Sequence, residues 1–587
     1  MQALTVMLLM ASATLMAAFG SGALTWSAGL AGALASLGAL LCIPRTGEPV
    51  TPRKWPGIDK LFLLTMGLLV ASVIPLPPVL TALHGATRHA QDARAAEAVT
   101  EAIRLGLSPA QTPLVSFTRN APGTCRLIVL LCTAFGFAAA AAQLGRSPRR
   151  LLLGFFVALG ILMAAAGTVS LWWIPQGDTL WWQIPVIHRL PPPVAGFMNR
   201  NHYAGFLAVL LPFPVGLAVS AARSCRGLRL TLALAAASIL AAGVVASLSR
   251  GAVLACAASA TVAVVLVLRR GRLALAALLV TLLAALALAL PRMPDSSIRD
   301  RFLSLQAPTQ TESGQYRLQM WRDTLRVWRA YPLVGGGGFA FRALYPQHRT
   351  TSDSAFASHA ENVYVQTLAD HGLAGVGLAV AWVAVCCAAA RRGGREDDDG
   401  PMRVAALCSL AAGAAHAAVD SSLYVPLYSA TLAALTAAGA GHVDSGSAAP
   451  GLLAWRPCRA AVVAAAAGCA LFGLVLRNAC DADSMAFYRS ADAPALCRSL
   501  AGAPTSWQAW YYLGREARRT KTPAGRDFGA RCLTQAAAYD PNNYRLWLEL
   551  GELRLFLGDR AGARAAFSRV RELRDWVQTP PVPEDEP

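Results

Sequence analysis

Four clusters of polar residues interrupt an otherwise apolar chain, and their residue types can hold anions and move protons. The first is Arg250 in SLSRGAVLA. The second is GFMNRNHYAGFL, which sets Asn199, Arg200, Asn201 and His202 side by side. The third is Tyr316–Arg317 with Trp321, Arg322 and Trp328, leading into the glycine run Gly335–Gly338. The fourth is His359-Ala-Glu361-Asn362, with His371-Gly372 further on. Arginine makes charge-assisted, often bidentate hydrogen bonds to anionic groups, and neutral imidazole accepts a proton near neutral pH. The third and fourth clusters share one polar segment, from about Pro291 to Asp370, that lies between two strongly apolar ones. Ionisable chemistry gathered in one large loop marks where function sits, because lipid-facing segments cannot carry it. The expectation is a membrane enzyme with its active site at one water interface.

Each cluster also has a plainer reading. Arg250 could be an interfacial arginine reaching for water, Asn199 could cap a helix, and Trp321 and Trp328 suit an interfacial Trp/Arg belt. The glycine run lacks the Lys-Ser/Thr of a phosphate-binding loop. Asp397–Asp399 follow Arg391 and Arg392 and read as a solvated loop. The thirteen cysteines form no CxxC pair, so no metal site is expected.

Residues of this kind must be positioned by helices that cross a bilayer. The 587 residues are 55% hydrophobic and only 14% charged, with a mean hydropathy of +0.44; a soluble domain carries about 25% charge. Apolar runs of spanning length lie near 3–20, 24–43, 60–80, 125–143, 151–174, 203–222, 228–247, 251–268, 273–290, 371–390, 403–419, 424–441 and 460–476. The expected fold class is therefore an all-α polytopic membrane protein with about 12–13 spans. The first run lacks a basic n-region, which argues against a cleaved signal peptide. The formal charge of +19 is spread as short clusters between apolar runs, a pattern of cytoplasmic anchors rather than of a nucleic-acid face. Clusters such as Arg146/Arg149/Arg150, Arg223/Arg226/Arg229 and Arg391/Arg392/Arg395 fall in alternate loops. By the positive-inside rule the N-terminus is cytoplasmic, and the large loop, Arg250 and the C-terminal region face outward. The loop 84–124 is an exception, with four arginines on the outer side partly balanced by Asp92, Glu97 and Glu101.

The domain plan expected is N-terminal spans over 1–290, the large loop over 291–370, further spans over 371–477, an amphipathic region over 482–575 and a disordered tail over 576–587. In the amphipathic region Pro541, Trp547, Leu550, Gly551, Ala563 and Phe567 follow a tetratricopeptide-like spacing. An imperfect copy begins at Trp510, Leu513 and Gly514 and runs about three residues long. Cys497 and Cys532 fall on the outer, oxidising side and could pair.

SLSRGA, the Tyr316–Pro346 stretch, HAENVYVQTLADHGLAGVGL and HAAVDSSLYVP near Asp420, together with GFMNRNHYAGFL, resemble the O-antigen ligase and O-antigen polymerase superfamily of bacterial inner-membrane glycosyltransferases. The resemblance covers roughly 190–440. It implies a multi-pass inner-membrane enzyme with a large periplasmic loop, a glycan donor on undecaprenyl diphosphate, and a lipid, glycan or protein acceptor whose hydroxyl attacks the anomeric carbon. Arg250 and Arg317 would stabilise the leaving diphosphate without a metal or other cofactor, and His359 would orient or deprotonate the acceptor. Asn199, Arg200, Asn201, His202, Arg322, Glu361, Asn362 and Asp420 would line the substrate site. Membrane lipids surround such a protein, the C-terminal region could recruit a protein partner, and nucleic acid is not expected. A protein O-oligosaccharyltransferase of the same superfamily and a polysaccharide or lipid transporter are the alternatives.

Overall fold

The structure is a computed structural model that describes residues 1–18, 25–41, 58–74, 86–109, 116–173, 195–197, 199–268, 312–352, 357–391, 400–439 and 491–583. It is all-α, with no β-strand among the described residues. Among the described residues, ten helices precede the large loop: α1 (Gln2–Ala18), α2 (Thr25–Leu41), α3 (Ile58–Val73), α4 (Ala86–Arg104), α5 (Ala121–Ala142), α6 (Arg146–Trp173), α7 (Arg200–Leu210), α8 (Pro212–Arg223), α9 (Gly227–Ala246) and α10 (Arg250–Leu268). The loop contributes α11 (Glu312–Ala330) and α12 (Phe341–His348). After it come α13 (Val363–Arg391), α14 (Gly400–Ala417), a 3-10 turn at Ser422–Tyr424 and α15 (Pro426–Gly439).

Among the described residues, five segments are long and apolar enough to cross a membrane: Ala121–Ala142, Arg146–Gly167, Arg200–Arg223, Gly227–Ala246 and Val363–Ala388. Shorter apolar helices lie at Gln2–Ala17, Leu30–Ala39, Leu61–Val73 and Arg250–Leu266. The protein is a multi-pass membrane protein. The runs expected at 273–290 and 460–476 lie outside the described residues. At the centre of the bundle sits α7, buried from Tyr203 to Leu210 and packed by α6, α9, α10 and α14. Outer helices expose Leu162, Leu228, Leu232 and Val380 instead, as lipid-facing surfaces should.

The span expected at 371–390 starts earlier, at Val363, and continues through a break at Gly372 (φ 60°, ψ −159°). The break explains the glycine run. Gly336 N donates to Ala369 O at 3.0 Å and Gly337 N to Asp370 O at 2.7 Å, while Leu373 N returns to Pro332 O at 3.0 Å. A Cβ on Gly335 would strike the Asp370–His371 backbone, and one on Gly337 (φ +105°) would strike Thr118. The run is therefore a backbone-to-backbone seam. It joins the loop to the broken helix and to residues 118–120, where Arg119 N donates to Gly336 O at 2.6 Å.

The C-terminal region consists of α16 (Ala493–Gly502), α17 (Trp507–Arg519), α18 (Pro523–Tyr539), α19 (Tyr544–Phe556) and α20 (Arg560–Leu573). α17/α18 and α19/α20 are hairpins built on one plan. Trp510 Nε1 donates to Pro504 O, and Trp547 Nε1 to Pro541 O, each at 2.9 Å and each six residues back. The expected three-residue excess of the first copy falls in α18, which has 17 residues against 14 in α20. Cys497 and Cys532 are both buried free thiols; burial pushes Cys497 up to about 11 and raises Cys532 further. Residues through Pro583, in the tail expected to be disordered, are described, and Pro583 O accepts from Arg564 at 3.1 Å.

Three polar segments distant in sequence pack together. Ala95, Ala98, Val99 and Ala102 of α4 share a core with Leu496, Cys497, Leu500 and Trp510. Arg349, after α12, makes a buried two-pronged ion pair with Asp540 (Nε to Oδ1 2.8 Å, Nη2 to Oδ2 3.0 Å). A second buried pair, Arg119 with Asp92 at 2.9 Å, ties α4 to the seam. Groups in van der Waals contact share one face of a membrane, so the loop 84–124, the large loop and the C-terminal region lie in one compartment. Two of the four arginines of 84–124 hold this folded unit together, Arg88 on Ser116 O and Arg119 on Asp92, and long folded segments escape the short-loop charge bias.

Candidate functional site

A small cavity of about 50 Å³ opens where α7 and α10 begin and α14 ends, against the face of α11. It is lined by Asn201, Ser249, Arg250, Gly251, Arg317, His416, Val419 and Asp420. Arg250 is the first residue of α10, and Asn201 the second of α7. The first-turn amides of a helix have no intrahelical acceptor, so two helix N-termini and two guanidinium groups converge on one small space, an arrangement suited to an anion. Ser249 prepares the start of α10 by accepting from Ala252 N at 3.4 Å.

Arg317 reaches the cavity from α11. Its Nη1 donates to Val419 O at 3.0 Å and its Nη2 lies 3.4 Å from Glu361 Oε2. Asp420, 1% exposed, faces His202 Nε2 at 3.4 Å and His416 Nδ1 at 3.9 Å, and accepts from the Ser422 hydroxyl. His202 Nε2 also lies 3.3 Å from Ser421 Oγ. The result is a ring of acidic and basic groups around the small cavity.

Glu361 occupies a turn with φ +53°, which few residues other than glycine adopt without cost. The backbone around it is pinned: Trp321 Nε1 donates to Ala360 O at 2.9 Å, Ala360 N donates to Gln366 Oε1 at 3.1 Å, and the Gln366 amide donates to Asp370 at 3.1 Å. Trp321 thus holds the loop as well as belonging to the expected aromatic belt. Burial, reinforced by the charge of Asp420 and opposed by Arg317, raises the Glu361 carboxyl to about 7.

Other expected site residues stand elsewhere. Asn199 caps α7 by accepting from Asn201 N at 2.8 Å. Asn362 caps α13, accepting from Tyr364 N at 3.0 Å and Val365 N at 3.1 Å. Arg200 begins α7 and is not among the cavity-lining residues. Arg322 is exposed, because five residues along a helix turn it well away from the Arg317 face. His359 stacks on Tyr424 (5.1 Å between ring centres) with the Phe339 ring edge-on at 5.6 Å. Burial and the charges of Arg342 and Arg126 hold its imidazole well below the usual value, and it does not line the cavity. His371 lies one residue before the break in α13.

His416 is the lining residue that sequence reasoning passed over. It is fully buried, and neither ring nitrogen has a hydrogen-bond partner among the described residues. The signal was its spacing: His416 and Asp420 stand four apart, which puts them on one side at the end of α14.

Residues 235–380 match a family model described as O-antigen ligase, which assigns this segment to the O-antigen ligase superfamily. The match takes in Arg250, Arg317, His359, Glu361 and the seam, and ends before His416 and Asp420. No curated protein matches the chain.

Proposed function

We propose, from the match of residues 235–380 to an O-antigen ligase family model and the arginine-lined cavity beside it, that this protein moves a glycan from undecaprenyl diphosphate to an acceptor hydroxyl in surface-polysaccharide assembly. The observation that carries the reading is the convergence of Arg250 and Arg317, from different helices, on one small cavity. The glycan would lie outside the cavity, towards Glu361, and the prenyl chain would run along the bundle.

In this reading the electron pair of the breaking C1–O bond stays on the diphosphate, and the arginines with the two helix N-termini stabilise the charge that develops there. Val419 O and Glu361 fix the Arg317 fork so that no reorganisation is needed at the moment of transfer. The guanidinium groups serve where other glycosyltransferases use a cation, so transfer should persist in a chelator. The acceptor is a lipid or glycan hydroxyl in the ligase or polymerase reading. In the second reading, protein glycosylation, the helical C-terminal region would present a protein acceptor; its tie to the large loop through Arg349–Asp540 supports that reading.

The test is transfer by the purified protein in lipid nanodiscs, with a lipid-linked oligosaccharide donor and candidate acceptors. Arg250→Ala and Arg317→Ala should each lower transfer by about 10²–10³, and lysine at either position should rescue poorly because it lacks the planar fork. Near-normal transfer by Arg250→Ala would return that residue to the interfacial reading and remove the support for a diphosphate site.

A further inference from the structure

We propose that Glu361 is the group that takes the proton from the acceptor hydroxyl, and that His359 serves to pack the loop. The inference rests on the glycosyl-transfer reading above and names the base within it.

The geometry separates the two candidates. The His359 ring packs against Phe339 and Tyr424, and its Nδ1 is buried without a partner among the described residues. An attacking hydroxyl has no access to that nitrogen, and neither the cavity nor a cavity-lining arginine is in contact with the ring. The Glu361 side chain is 25% exposed, so an acceptor can approach it. Through Arg317, which contacts both Glu361 and the anion cavity, the carboxylate stands one guanidinium away from the proposed leaving group.

The surrounding structure also spends stability to put a carboxylate there. A left-handed conformation at a glutamate costs about 1–3 kcal/mol, and the turn that imposes it is braced at Ala360, whose O accepts from Trp321 and whose N donates to Gln366, itself held by Asp370. The charged groups facing Glu361 are Arg317 from α11 and Asp420 beyond the end of α14, with His202 of α7 on the far side of Asp420. A base that titrates near neutrality combines availability with strength, and the environment of Glu361 supplies such a value.

The step balances. The acceptor oxygen forms a bond to the anomeric carbon as the C1–O bond to phosphate breaks. The electron pair leaves with the diphosphate, and the hydroxyl proton passes to the Glu361 carboxylate and then to water.

Glu361→Gln keeps the side-chain shape and an oxygen that accepts from Arg317, but removes the base. In the nanodisc assay kcat should fall by about 10²–10⁴ with donor KM within threefold of wild type. The rise of kcat with pH through about 7 should disappear. Glu361→Asp, which retains a carboxylate, should keep part of the rate. If Glu361→Gln turns over at the wild-type rate with the same pH profile while Arg250→Ala stays inactive, the base inference fails and the transfer reading stands. If wild-type protein transfers nothing from a lipid-linked donor, the transfer reading fails and the base falls with it.

Discussion

The buried Arg349–Asp540 pair offers a quantitative test of how the C-terminal region is held against the loop that carries the site. The two side chains are 3% and 2% exposed, so each charge depends on the other for solvation. Asn543 Nδ2 donates to Asp540 at 3.1 Å, and Asn542 Nδ2 to Arg349 O at 2.6 Å. These bonds remain after Arg349→Ala but cannot neutralise the carboxylate. Removing one partner of a buried pair costs about 3–5 kcal/mol, and at 1.4 kcal/mol per tenfold the docked state would weaken by roughly 10²–10³. Asp540→Ala should cost about as much, and the double alanine variant less than the sum, because the stranded charge is gone. A Met/Leu pair should recover much of the loss. Hydrogen exchange of α12 and α19 in nanodiscs reads the docking equilibrium directly. The reasoning is refuted if Arg349→Ala leaves exchange in both helices within threefold of wild type.

Two further outcomes follow from the same contacts. Trp321→Phe removes only the indole N–H from Ala360 O; with about 0.5–1.5 kcal/mol lost, kcat should fall three- to tenfold while donor binding holds, and an unchanged kcat would show that the turn at Glu361 is braced elsewhere. In a background retaining only exposed Cys225, cysteines placed at the exposed positions Arg104, Arg329 and Arg571 should all react with an impermeant maleimide from one side of the membrane and Cys225 from the other. Labelling of Arg571→Cys together with Cys225 would contradict the shared compartment.

The sequence made the helices legible because spanning segments need long apolar runs, and composition alone finds those. It was also informative about Arg250 and Arg317, since an arginine at a helix mouth in a lipid-bound chain has few inexpensive roles. Roles that depend on how side chains face one another were out of reach. Asn199 and Asn362 stood beside histidines and arginines like ligands, yet each has its oxygen committed to helix amides. His359 had the residue type of a base, but an aromatic stack cannot be seen in a one-dimensional string. Glu361 had the opposite fate: its titration is set by burial, by Asp420 and by Arg317, three features supplied by segments far away in sequence. His416 looked like one more residue of an apolar helix until its end met α10 at Gly251.

The way the site is assembled explains why its chemistry was scattered over more than two hundred residues. The cavity is formed by the ends of α7, α10 and α14 together with the face of α11, and a membrane helix can place polar groups in water only at its ends. Gathering several cations at one point therefore requires several helices to end at one depth, each bringing one or two residues. The glycine seam and the Arg349–Asp540 pair act on the outer half of the same problem. Glycines at 335–338 let α11 and the break in α13 close to backbone contact, and that closeness sets the distance between Arg317, carried by α11, and Glu361, carried by the start of α13. On the proposed reading, a phosphate site on helix ends and an acceptor base on a braced loop would vary separately, so the acceptor side would change with the loop and the C-terminal region while the diphosphate side is kept.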